Sequence, residues 1–129
     1  MPKKRLFVSF DYDNDRDLKM LLVGQAAHPD TPFDITDASV NDHLPGDWEA
    51  KVRGRIDRSD VVCVLCSPTT GKAHGVATEL RIARELGKPY FLLWGYKDRA
   101  AVAPPTAGAN DKIYRWEWDV LKQLIHGAR

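Results

Sequence analysis

Long apolar runs, an excess of either charge and cysteine are all scarce in this chain of 129 residues. No stretch approaches the ~20 apolar residues of a membrane span, so no membrane association is expected. The basic start Met1-Pro-Lys-Lys-Arg runs into an apolar segment that stops at Asp11, too soon for a secretory leader, and a cytoplasmic location is expected. Lys and Arg number 19 against 18 Asp and Glu, a net charge of +1, which supplies no field for nucleic acid. Cys63 and Cys66 are the only cysteines, and with no His nearby they make no metal set and read as reduced core thiols. A Walker phosphate loop, a dinucleotide glycine fingerprint and internal repeats are all missing.

What is present suits one domain over residues 1–129, since 43% hydrophobic and 29% charged residues can build a single core. Arg5–Phe10 is short and nearly continuous in apolar character, as in a strand buried on both faces. Asp11–Asp15 is its acidic exit loop. Leu18, Leu21 and Leu22 then recur at helical spacing, with Asp15 placed to cap and Asp17 favouring the helix dipole. Phe33–Asp37 alternates as an edge strand would. Leu44-Pro-Gly-Asp breaks the chain and offers Asp47 as a cap for a helix carrying Trp48, Val52 and Ile56.

Val61–Cys66 is the most apolar run and predicts a central strand. Ser67–Gly75 reads as a loop, followed by a helix with Val76, Leu80, Ala83 and Leu86 inward and Gly87 at its C-terminal stop. Tyr90–Trp94 is the fourth strand and Ile113-Tyr114 a short fifth. Between them, residues 95–111 carry Pro104-Pro105 and read as a mobile loop or a functional flap. Trp116, Val120, Leu121, Leu124 and Ile125 form a closing amphipathic helix. Alternating strands and helices require right-handed parallel crossovers, hence an open three-layer α/β sandwich of four or five parallel strands in the order 2-1-3-4(-5). Such a sheet reverses direction between strands 1 and 3, so a ligand is expected where the loops Asp11–Asp15 and Ser67–His74 face each other. Ser67 and His74 are candidate contacts on the second loop.

The acidic run Asp11-Tyr-Asp-Asn-Asp does not make a calcium loop, because Arg16 replaces the turn glycine and Leu22 the bidentate glutamate. Asp11 and Asp13 match the aspartate pair of a dehalogenase-like phosphatase, but the rest of that motif set is not evident. A phosphate-receiving aspartate at the end of strand 3 is replaced by Cys66-Ser67. Glu79 lies early in its helix, beside the core stripe. It either faces the crevice or pairs in solvent with Arg81 or Arg84. Tyr12 and Trp48 are either ligand-stacking aromatics or core.

The segments Arg5-Leu-Phe-Val-Ser-Phe-Asp-Tyr-Asp-Asn-Asp, Arg58-Ser-Asp-Val-Val-Cys-Val-Leu and Thr78-Glu-Leu-Arg-Ile-Ala-Arg-Glu-Leu-Gly-Lys-Pro resemble the TIR-like proteins of the Thoeris ThsB type. The resemblance runs from about Lys4 to Trp94. It implies a flavodoxin-like fold and an enzyme that takes NAD as substrate, with no further cofactor or metal. The implied reaction cleaves the nicotinamide–ribose bond and yields a cyclic ADP-ribose-type signal in antiphage defence. The family's catalytic glutamate carries over to Glu79, and its strand-end motif to Phe10, Asp11, Tyr12, Asp13 and Asn14 as substrate contacts. Self-association or a partner TIR or effector protein is implied, and a non-catalytic interaction module stays open as the alternative. Many relatives have a tryptophan-containing segment before the glutamate. Here it reads His74-Gly-Val-Ala-Thr, for which a smaller, more flexible loop is expected.

Overall fold

The computed structural model describes residues 3–29, 31–38 and 48–127. Five parallel strands alternate with helices in the chain order β1 (Lys4–Ser9), α1 (Arg16–Ala26), β2 (Phe33–Ala38), α2 (Trp48–Asp57), β3 (Val61–Cys66), α3 (His74–Glu85), β4 (Tyr90–Trp94), β5 (Ile113–Arg115) and α4 (Trp118–Ile125). The sheet order is β2-β1-β3-β4-β5 and every pairing is parallel. This is the flavodoxin-like topology, with β2 at one edge and the short β5 at the other. The register of β1 against β3 is fixed by Asp60, whose carboxylate accepts the Arg5 backbone N–H at 2.8 Å and the Arg5 guanidinium at 3.2 Å.

The two faces of the sheet carry separate cores, because successive strand side chains point to opposite sides. Leu6, Val8, Cys63 and Leu65 pack against Leu18 and Leu22 of α1 and Leu121, Leu124 and Ile125 of α4. Phe7, Val62, Val64 and Cys66 pack against Val52 and Ile56 of α2 and Val76, Leu80 and Ala83 of α3. The result is a three-layer sandwich. Both cysteines are free and buried, and burial pushes the Cys63 thiol well up and that of Cys66 up to about 12, which makes them inert core groups.

Gly87 and Gly95 are among the glycines whose positions disfavour a side chain. Gly87 has φ of 69° and ends α3, while the Lys88 N–H reaches back to the Ala83 carbonyl at 2.9 Å. Gly95 donates to the Cys66 carbonyl at 2.8 Å, and a Cβ there would stand 2.4 Å from Leu18 Cδ1. That close approach brings the exits of β3 and β4 together.

Several expectations change. Asp15 is the residue before α1 but its side chain makes no capping bond. Leu21 is 61% exposed rather than core. The helix α3 begins at His74, so His74-Gly-Val-Ala-Thr is helical and no flexible loop precedes Glu79. A 3₁₀ turn over Thr70–Lys72 fills the connection instead. Trp116 precedes α4 rather than belonging to it. The segment 95–111 is pinned to the body: the Val102 N–H donates to the Ser67 carbonyl, and the Thr106 hydroxyl to the Ala77 carbonyl at 2.7 Å. The proposed cap Asp47 lies outside the described residues. Among the described residues, no helix is long and apolar enough to cross a membrane.

Candidate functional site

Strand alternation decides what reaches the crest of the sheet. Ser9 shares its face with Phe7, the face covered by α3, so its hydroxyl points at that helix. On α3 the positions Val76, Glu79, Leu80 and Ala83 have the i, i+3, i+4, i+7 spacing of a core stripe. Glu79 therefore occupies a core position and is 1% exposed. The Ser9 hydroxyl donates to Glu79 Oε1 at 2.7 Å, joining residues 70 apart in sequence. The solvated alternative fails, since Arg81 pairs with Glu49 and Glu85 while Arg84 donates to the Thr106 carbonyl.

A buried carboxylate carries a desolvation cost that an apolar side chain would not, and the Ser9 hydroxyl offsets part of it. Glu79 thus stands where packing alone favours leucine. Asp11 follows Ser9 by two residues, at most about 7 Å of extended chain, so the acidic loop begins close to the Ser9–Glu79 pair.

The acidic loop is held by its own carboxylates. Asp11 Oδ2 accepts from Asn14 Nδ2 and from the Thr69 hydroxyl, both at 2.8 Å, and Asp11 Oδ1 accepts the Asp13 N–H at 3.3 Å. Asp15 Oδ2 accepts the Ser67 hydroxyl at 2.5 Å and Asp15 Oδ1 the Tyr96 hydroxyl at 3.1 Å. Burial raises the Asp15 carboxyl, with the Ser67 and Tyr96 bonds acting the other way. Burial and the neighbouring Asp17 raise the Tyr96 phenol. The loops after β1 and β3 therefore face each other across the switch point, as the topology requires.

The remaining candidates take different positions. Phe10 is 3% exposed and belongs to the α1/α4 core, with its ring 6.2 Å from that of Tyr12. Tyr12 is half-buried and has the Arg16 guanidinium over its ring at 4.7 Å. Asp13, Asn14 and His74 are exposed, His74 at the first turn of α3, and Ser67 is buried. Among the described residues, no group of three His, Cys, Asp or Glu side chains converges as a metal set.

Sequence reading missed Ser9, Thr69 and Tyr96. Ser9 had a signal: it is a hydroxyl at the end of a buried strand, two residues from Phe7 and so on the same face. Tyr96 had none, because its partner Asp15 lies 81 residues away.

The model of the family described as Thoeris protein ThsB, TIR-like domain, matches residues 7–99. That span runs from within β1 to just past β4 and holds the acidic loop, Ser67 and Glu79. No curated protein matches the chain.

Proposed function

The chain belongs to the TIR-like domain family of the Thoeris protein ThsB, and on that premise we propose that it processes NAD, breaking the nicotinamide–ribose bond as part of antiphage signalling. The observation that carries this reading is the Glu79 carboxylate, buried at a core position of α3 and oriented by Ser9 beside the switch-point loop. Cleavage of an N-riboside sends the bond's electron pair to the nicotinamide nitrogen, which leaves neutral, and builds positive charge on the ribose as in glycoside hydrolysis. A carboxylate in low-dielectric surroundings stabilises that charge with little screening. Because the nicotinamide is already cationic, its departure needs no proton donor. Water then adds to the sugar and loses a proton to solvent. Where water is excluded, the adenine of the same molecule captures the sugar instead, giving a cyclic product.

In this reading Tyr12 and the edge of Phe10 contact a ring of the substrate, and Asp11, Asp13, Asn14, Ser67 and His74 line the approach. NAD is the substrate, no further cofactor takes part, and a second copy or a partner protein completes the site in the cytoplasm. A non-catalytic interaction module is the second reading, favoured by the apolar surface that Met20 and Leu21, each 61% exposed, present on α1.

The test is nicotinamide release from NAD by the full chain and by Glu79→Gln, at dilute and self-associating concentrations. Turnover by the native chain that Glu79→Gln lacks supports the enzyme. Absence of turnover by the native chain in both states, with fold intact, leaves the interaction module.

A further inference from the structure

A concavity lies on the α1/α4 side, beyond the ends of β4 and β5, away from α3. It is an open groove of about 750 Å³ into which Leu21, Trp94, Tyr96 and Trp116 project, with Lys97 and Arg115 among its lining residues. That volume is in the range of sites for small organic ligands. Two of the chain's 4 tryptophans line it.

The polar edges of all three rings are already engaged. Trp94 Nε1–H donates to the Arg99 carbonyl at 2.8 Å and Trp116 Nε1–H to Gln25 Oε1 at 2.7 Å. The Tyr96 hydroxyl shares its one hydrogen between Asp17 at 2.8 Å and Asp15 at 3.1 Å. These bonds fix the rings, so what the groove offers a ligand is π surface in a set orientation. The Arg99 guanidinium stands 4.3 Å over the Tyr96 ring and occupies one of its faces, which leaves the two indoles as the main stacking surfaces. Lys97 and Arg115 form no ion pair among the described residues, and Glu117 is the single acid on the lining.

A neutral aromatic ligand would leave those two cations unused, and a small anion without a ring would leave the indoles unused. We infer that the groove is a binding site for a planar heteroaromatic ring carrying an anionic group, the chemistry of a single nucleotide. The bounded volume and the net charge of +1 fit one nucleotide rather than a strand. This site does not rest on the NAD reading, because Glu79 packs on the opposite face of the sheet.

Calorimetry and tryptophan fluorescence with AMP, adenosine and inorganic phosphate test it on the full chain. AMP is expected to saturate the protein at about millimolar concentration or below. Adenosine and phosphate each bind more weakly. Trp116→Ala weakens AMP binding roughly tenfold. Because Trp116 also packs against the core, the exposed pair Lys97→Ala and Arg115→Ala is measured beside it, and there AMP loses its advantage over adenosine. Glu79→Gln binds AMP as the native chain does, so failure of the NAD reading would not touch this result. Absence of saturation by AMP up to about 5 mM, equal affinity for AMP and adenosine in the native chain, or loss of binding in Glu79→Gln would each overturn the site.

Discussion

Of the buried carboxylates near the exit of β1, the two most deeply buried, Glu79 and Asp15, meet the cost of burial differently. Asp15 lies where three segments converge: it starts α1, accepts Ser67 from the exit of β3 and accepts Tyr96 from the exit of β4. Its bonds tie loops together, which is a structural task. Glu79 sits inside a helix stripe with Val76, Leu80 and Ala83 and accepts the Ser9 hydroxyl from the end of β1. An apolar residue would serve the fold better at that position, whereas none could replace Asp15. The difference gives the acidic loop an architectural task, and in the proposed reaction the chemistry falls to Glu79.

The largest stability effect is expected at the loop. Ser67→Ala deprives Asp15 of its 2.5 Å partner and should cost about 1–3 kcal/mol in urea unfolding. A loss near zero would break the comparison by showing that the cluster ties nothing. Glu79→Gln keeps the shape and removes a buried charge, so it should unfold within about 1 kcal/mol of the native chain. A much larger loss would make Glu79 structural after all.

The pH dependence sharpens the Asp15 side. Its carboxyl is raised in the folded chain, so the folded state takes up the proton at higher pH than the unfolded one. The native chain should therefore gain stability relative to Asp15→Asn as pH falls from neutral toward the ordinary value of 3.8, and lose that gain as pH rises through the raised folded value. Denaturation midpoints of the two proteins across that range show whether the gap moves in that direction. The smallest effect belongs to Arg81→Ala, which removes the solvated links from α3 to Glu49 and within α3 to Glu85. Its unfolding midpoint should barely move, and less so in high salt.

Much of the scaffold was legible because its signals are local. The run Val61–Cys66 announces a central strand, Gly87 a helix stop, and the alternation of elements the order of the sheet. What local rules misjudge is long-range. Asp15 looks like a helix cap when only its own turn is considered, but Ser67 competes for its carboxylate from 52 residues away. Gly75 argues for a loop by propensity, yet Val76 and Leu80 dock and carry the helix back to His74. Pro104-Pro105 correctly signals irregular backbone. That this segment straps over Ser67 and Ala77 depends on contacts no spacing reveals. Glu79 was found by its place in the chain, and its partner Ser9 was overlooked because a serine in an apolar strand passes for filler.

In the proposed reaction the carboxylate on α3, rather than the acidic loop, carries the chemistry. Nicotinamide release from NAD, measured side by side for the native chain, Glu79→Gln and Asp15→Asn at matched folded fraction, tests this directly. The prediction is a loss of about a hundredfold or more in Glu79→Gln, with Asp15→Asn retaining most of the native rate. Equal rates in the native chain and Glu79→Gln would contradict it.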